Sequence, residues 1–195
     1  MKLSRVKSVQ EAVSPESLML KVKRGDRAAF AELYDRFKGP IFNFLLGMVA
    51  REALAEELVH EVFLRVYRAR ESYEPSARFT TWLWTLARNC ALDELRKKGE
   101  LLARHAEDEA PSAALLPDPD EGPEAKLIDQ ARLEQVERCL AALPARSREA
   151  VMLRSAGENS YEEIAEVLGE SLANVKNLLH RAKQALAKCL AGAAL

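Results

Sequence analysis

The chain has 195 residues, 48% apolar and 30% charged, a length for one or two domains and the balance of a folded rather than a disordered protein. Its longest apolar island, Ile41 to Ala50, is far shorter than the ~20 residues of a membrane span, and the opening MKLSRVKSVQEAVS lacks the apolar core of a secretory signal. A cytoplasmic protein without membrane insertion is expected.

The formal net charge of −1 hides a segregated layout. Residues 16–98 hold fifteen Lys/Arg against twelve Asp/Glu, residues 99–124 hold one against eight, and residues 171–195 hold four basic residues and no acid. Two segments therefore tolerate a polyanion, and the one between them is repelled by it.

From Ser17 to Lys98 the pattern is helical throughout. Phe30, Leu33, Tyr34 and Phe37 recur at three and four beyond Gly25-Asp26, and Gly39-Pro40 is expected to end that helix. An apolar helix over about Ile41–Ala50 and a longer one over about Glu52–Arg70 follow. In the longer one Leu58, Val59, Val62 and Val66 share a core side. Glu57, His60, Glu61, Leu64 and Arg68 lie opposite, and Phe63 and Tyr67 sit on the shoulder. An acidic face bearing Leu64 and two aromatics suits a partner helix. Ser72 to Arg78, with Pro75, is a break, and a helix from about Phe79 to Lys98 closes the unit.

Residues 99–124 carry Pro111, Pro117, Pro119 and Pro123 among acids and alanines, too little apolar surface to offset ordering entropy, and read as a linker. A second helical unit follows, with helices expected over about Pro123–Leu143, Arg146–Ser155, Tyr161–Leu168 and Leu172–Ala191. Ser160-Tyr-Glu-Glu163 is a capping box, Gly169 supplies a left-handed turn, and Ser171 caps the next helix. Ala165 is small enough for two helices to cross closely, which makes a helix-turn-helix. The last helix buries Val175, Leu179, Ala182 and Leu186. Its solvent face offers Asn174, Lys176, Asn177, His180, Arg181 and Lys183, side chains that read base edges or grip phosphate.

Cys90, Cys139 and Cys189 are widely spaced, with no C-x-x-C or H-x-x-x-H frame, and are expected as small, reduced core residues, a redox or zinc role being the alternative. No glycine loop cradles phosphate, no nucleophile stands at a recognisable spacing from a base, and no ligand cluster appears. No enzyme, catalytic residue, metal or cofactor is expected.

Five runs carry a family resemblance. Leu143-Pro144-Ala-Arg-Ser-Arg148-Glu149, the run from Ser160 to Gly169, and Val175-Lys176 through His180-Arg181-Ala182 resemble region 4 of the extracytoplasmic-function (ECF) sigma factors of bacterial RNA polymerase. Glu56-Glu-Leu-Val-His-Glu-Val-Phe-Leu-Arg-Val-Tyr67 and Arg78-Phe-Thr-Thr-Trp-Leu-Trp through Arg96 resemble region 2. The pattern departs at His60, where Gln is usual, at Tyr67, where Trp is frequent, at Asn177, where Ser is common, and at Leu178, where many members have Arg or Tyr.

The resemblance implies an all-α protein: a region 2 bundle over 16–98, the acidic linker over 99–124, and a region 4 helix-turn-helix over 125–195. It implies that Glu57, His60, Glu61, Phe63, Leu64 and Tyr67 dock on core RNA polymerase, at the β′ clamp helices, with the β subunit as a further contact. Arg78, Thr81, Trp84, Arg88, Asn89 and Arg96 would hold the opened −10 strand, since extruded bases need basic groups, amides and π faces. Trp82 is expected in the core, with Phe79, Leu83, Leu86, Leu92 and Leu95. Asn174, Lys176, Asn177, His180 and Arg181 would bind the −35 duplex. A free monomer with its two units packed together, and an anti-sigma partner, are further implications. The alternative is a helix-turn-helix regulator acting without polymerase; a receiver-linked regulator is excluded because the first half shows no strand alternation.

Overall fold

The computed structural model describes residues 13–104, 134–157 and 159–192. Helix α1 (Pro15–Lys23) begins at Ser14, whose hydroxyl accepts the Ser17 amide at 3.2 Å, with proline at its first position, where a missing N–H is harmless. Asp26 caps α2 (Arg27–Val49) by accepting the Ala28 and Ala29 amides. Helix α3 (Glu52–Arg68) passes through a short 3₁₀ turn (Ala69–Glu71) to the break at Ser72–Arg78, and α4 (Phe79–Arg104) follows. The second unit holds α5 (134–141), α6 (Ala145–Ala156), α7 (Tyr161–Leu168) and α8 (Leu172–Gly192). All described regular structure is helical.

The expected break at Gly39-Pro40 does not occur, because α2 runs straight through it. Proline there removes one backbone donor. Phe37, Ile41, Phe44 and Leu45 are nonetheless all buried, so a continuous helix keeps the apolar groups before and after the proline on one core face. Burial of that stripe outweighs the missing bond. Helix α4 also runs to Arg104, into the first residues of the expected linker; residues 105–124 of that linker, and the expected helix start at Pro123, lie outside the described residues.

Phe44 is fully buried and meets the Trp84 ring edge-on at 5.5 Å between centroids. Phe79 packs against Phe37, Tyr73 and Trp82. The core does not stop at the first unit: α2 packs on α6 and α4 on α7, and Met152, Leu153 and Ile164 belong to the same apolar cluster as Phe44 and Leu33. Gly47 allows this approach, since a Cβ there would stand 2.2 Å from the Met152 methyl carbon.

Two further expectations are corrected. Leu95 is exposed rather than core. Cys139 and Cys189 are not separate reduced thiols: they form a disulfide with Cα atoms 5.8 Å apart, joining α5 to the far end of α8. Cys139 is buried and Cys189 exposed, so one end of the bridge opens to solvent. Cys90 is a free, buried core residue as expected, and burial pushes its thiol pKa up.

Replacing Phe44 by Ala removes a ring at the centre of this cluster and is expected to destabilise the protein by about 3–5 kcal/mol. Ser160→Ala is expected to lose only about 1 kcal/mol, the worth of one cap. Urea unfolding of both variants checks the contrast.

Candidate nucleic-acid and partner interfaces

Three surfaces carry the residues singled out from the sequence, and they differ in how open they are. On α3, Leu58, Val59, Val62 and Val66 are buried as expected, while Glu57, His60 and Leu64 face solvent. Leu64 is 42% exposed, high for an apolar side chain, and Tyr67 beside it is also exposed. Tyr67 is held edge-on to Phe30 at 5.3 Å and carries the Arg70 guanidinium over its ring at 4.2 Å. Glu61 accepts from Arg65 Nε at 2.7 Å, and this pairing holds the Arg65 pKa up. Phe63 departs from expectation: at 2% exposure it packs against Phe30 and Tyr34 and supports the face from beneath. Sequence placed it on the shoulder because helix periodicity alone does not show that α2 covers that side.

The second surface is the α7–α8 pair. The Ser160 hydroxyl accepts the Glu163 amide at 3.1 Å and the Glu163 carboxylate accepts the Ser160 amide at 2.7 Å, the reciprocal box expected. Gly169 takes φ +66°, and α8 then starts with the Ser171 hydroxyl on the Asn174 amide at 3.2 Å. Val175 and Ala182 are buried against α6 and α7. Asn174, Lys176, Asn177, His180 and Arg181 are all exposed on the opposite side, one face of one helix. Asn174 Nδ2 donates to Glu170 at 2.7 Å, and His180 pairs with Gln184. Leu178, where the family pattern has a polar residue, is half-buried against the core cluster.

The third surface is largely covered. Arg78, Asn89 and Arg96 are exposed, but Thr81 is buried and Trp84 is 2% exposed. Trp84, expected on the DNA face, is thus a core residue, and Trp82, expected in the core, packs against it half-buried. Trp84 lies between Phe44 and the second unit, where a side chain at Gly157 would meet its Cζ2 at 3.4 Å. Trp82 is half-buried beside the Ser72–Arg78 break, its ring tilted against those of Tyr73 and Phe79. The hydroxyls of Tyr73 and Thr81 are buried with no partner among the described residues.

Charge closes this third surface. Arg88 Nε donates to Glu149 on α6 at 2.8 Å, and Glu149 is only 4% exposed, with Arg146 as a second partner at 3.3 Å. Arg78 donates to Glu163 of the capping box at 2.5 Å. Burial pushes the Glu163 carboxyl up, but the Arg78 guanidinium and the Ser160 amide and hydroxyl outweigh it and hold its pKa below the ordinary carboxylate value. A cleft of about 480 Å³, lined by Arg36, Phe37, Arg78, Trp84, Asn159 and Glu163, leaves this pair open to ions, whereas Arg88–Glu149 is shielded. Among the described residues no group of His, Cys, Asp or Glu is placed to hold a metal ion, and no helix is long and apolar enough to cross a membrane.

A depressed folded-state pKa contributes stability that is present above the unfolded value and is lost as pH falls through the folded one. Acidification through the carboxylate range is therefore expected to loosen the Arg78–Glu163 contact, read as a change in Trp84 fluorescence. Glu163→Gln, which keeps an acceptor for the cap, should remove the part of that transition due to this contact. For the shielded pair, Arg88→Met alone leaves Glu149 buried with one partner lost, and is expected to destabilise by roughly 3 kcal/mol. Adding Glu149→Met should restore most of that loss, measured by urea unfolding.

Residues 33–100 match the family model of sigma-70 region 2, and residues 133–186 match that of sigma-70 region 4. The RNA polymerase sigma factor CarQ of Myxococcus xanthus is 35% identical over 175 residues, which cover 88% of this chain and 95% of CarQ. The ECF RNA polymerase sigma factor SigW of Bacillus subtilis is 30% identical over 173 residues, 87% of this chain and 92% of SigW. Among solved structures, the sigma factor RpoE of Bartonella quintana, in complex with the anti-sigma factor NepR, superposes with a TM-score of 0.71 at 24% identity, covering 83% of this chain and 96% of RpoE. CnrH, in complex with the cytosolic domain of CnrY, superposes at 0.67 and 22% identity, covering 91% of this chain and 97% of CnrH.

Proposed function

Because the chain belongs to the ECF RNA polymerase sigma factors, we propose how its surfaces divide the work of an alternative sigma factor. Residues 16–98 form the polymerase- and −10-binding unit, residues 99–124 the acidic connector, and residues 125–195 the −35-binding unit. The α3 face, with Glu57, His60, Glu61, Leu64 and Tyr67, docks on core polymerase at the β′ clamp helices; Phe63 holds Tyr34 and Phe30 in place below it. The α8 face, with Asn174, Lys176, Asn177, His180 and Arg181, enters the −35 major groove. The protein contributes no catalytic group, and polymerase supplies the chemistry. It is a cytoplasmic monomer when free.

One observation carries this reading: two separate exposed faces, an apolar–acidic one on α3 and an acid-free one on α8, lie on a single chain in the order of regions 2 and 4. A helix-turn-helix regulator acting alone has no use for the α3 face. The six residues expected on the −10 strand fall into two sets. Arg78, Asn89 and Arg96 are exposed, while Thr81 and Trp84 are buried, Trp84 beside Gly157 of the second unit, and Arg88 is held by Glu149 of α6. Capture of the −10 strand therefore requires the two units to part, and an anti-sigma partner that holds them together keeps the factor silent. The fold shared with the sigma factor RpoE, solved in complex with the anti-sigma factor NepR, supports that role.

Run-off transcription with purified core polymerase on a genomic fragment library is expected to give discrete start sites only when the protein is added. Leu64→Asp should abolish binding to core while leaving the fold intact by circular dichroism. Lys176→Ala and Arg181→Ala should each weaken promoter binding by about tenfold without affecting core binding. No binding to core in the same tubes sinks the polymerase-docking assignment.

A further inference from the structure

The bridge between Cys139 and Cys189 serves neither the polymerase face nor either DNA face, and its position says what it controls. The two cysteines stand 50 residues apart. The ring they close contains α6, α7 and α8 as far as residue 189, which is the whole helix-turn-helix, and no part of the first unit. At its distal end α8 is thinly packed: residues 183–191 are exposed apart from half-buried Leu186. There the bridge is joined by a hydrogen bond from Gln135 Nε2 to the Leu190 carbonyl at 3.0 Å. Val136 and Leu190 on either side are exposed and add little burial.

We propose that Cys139 and Cys189 are a reversible two-electron redox site that sets the stability of the helix-turn-helix unit. The inference rests on the assignment of α8 to the −35 duplex. A protein that works on DNA and polymerase in the cytoplasm meets a pool that keeps thiols reduced, where a disulfide is usually transient rather than a fixed staple. The two sulfurs are unequal in access, as such a site requires. The exposed Cys189 thiolate attacks a peroxide, breaking the O–O bond to give a sulfenic acid and, with a proton, one water. The Cys139 thiolate then attacks that sulfur, forming the S–S bond and releasing hydroxide, which takes a proton to become the second water. Two thiols are oxidised and one peroxide is reduced to two waters. In reverse, a dithiol reductant attacks the exposed Cys189 sulfur, displaces the Cys139 thiolate and leaves as its own cyclic disulfide, so both thiols are restored.

A cross-link acts mainly on the unfolded chain by removing loop-closure freedom, and more so for a long loop. Oxidation therefore raises the melting point of the second unit while leaving its DNA-reading face unaltered. The response is conditional. Where both forms are folded, affinity for a −35 duplex changes by less than about twofold; between the two melting points, reduction lowers it by at least about tenfold.

The test uses the full chain, equilibrated with hydrogen peroxide or with dithiothreitol, alkylated and mapped by mass spectrometry, then melted and titrated with a −35 duplex. The expected result is a Cys139–Cys189 cross-linked peptide in peroxide that disappears in dithiothreitol, with Cys90 unpaired in both. A melting shift of roughly 10 °C or more should accompany it. In Cys189→Ser the shift vanishes, and its melting should match that of reduced wild type. Free thiols after peroxide, a bridge that resists dithiothreitol in the folded protein, or one melting point for both states each overturns the redox site. A redox-dependent melt with no duplex binding in either state instead sinks the −35 assignment and leaves the redox site standing.

Discussion

A carboxylate with almost no exposed surface holds the two halves of this protein in register. Glu149 sits on α6 and faces Arg88 on α4 across the seam. Taking both charges out of water is expensive, and only close, hydrogen-bonded pairing offsets it. The pair therefore adds little to net stability compared with an apolar contact of the same size. What it adds is position: other registers of α6 on α4 leave a buried charge unmatched. Around it the apolar contacts of Trp84, Met152 and Gly47 supply the bulk of the attraction, without direction of their own. Covering of Trp84 and Arg88 follows from this division between a strong, undirected attraction and a weak, exacting one.

The local features were legible because their physics is local. The capping box, the left-handed glycine and the buried stripe of α3 depend on neighbours within a turn or two and stand where the residues indicate; on α8 Val175 and Ala182 are buried, while Leu179 and Leu186 are half-buried. The errors all come from contacts between elements. Pro40 marks a helix end in any short window, yet α2 continues because the buried residues beyond it belong to the same face as those before. Trp82 and Trp84 are two positions apart, on different sides of one helix, and nothing in α4 says which side the second unit will cover. Phe63 was placed on a shoulder that α2 turns out to occupy. The cysteines are the extreme case, since a pairing across 50 residues has no signature in spacing. The acid-free face of α8 was legible because exposure of an outer helix face needs no tertiary knowledge.

These interfaces form a graded series rather than a set of equal sites. The α8 and α3 faces are open in the arrangement described, while Thr81 and Trp84 on α4 are buried. On the division of surfaces proposed above, a factor built this way would meet polymerase and duplex with its open faces and engage the melted strand last. Order of assembly is then a property of burial, set before any partner arrives. The seam contributes to it unevenly, since Arg78–Glu163 lies on an open cleft while Arg88–Glu149 does not.

Glu163 divides its two oxygens between errands of very different range. Oε2 takes the Ser160 amide three residues away, and Oε1 takes Arg78, 85 residues away in sequence. The helix-turn-helix keeps its own cap when the distant partner leaves, so parting of the halves does not unravel the motif that must then read DNA. Glutamine at 163 would satisfy the near errand and fail the far one, and aspartate is one carbon short for the near one. Folding and docking thus impose separate demands on one residue, and their overlap narrows the acceptable chemistry at that position to a single side chain.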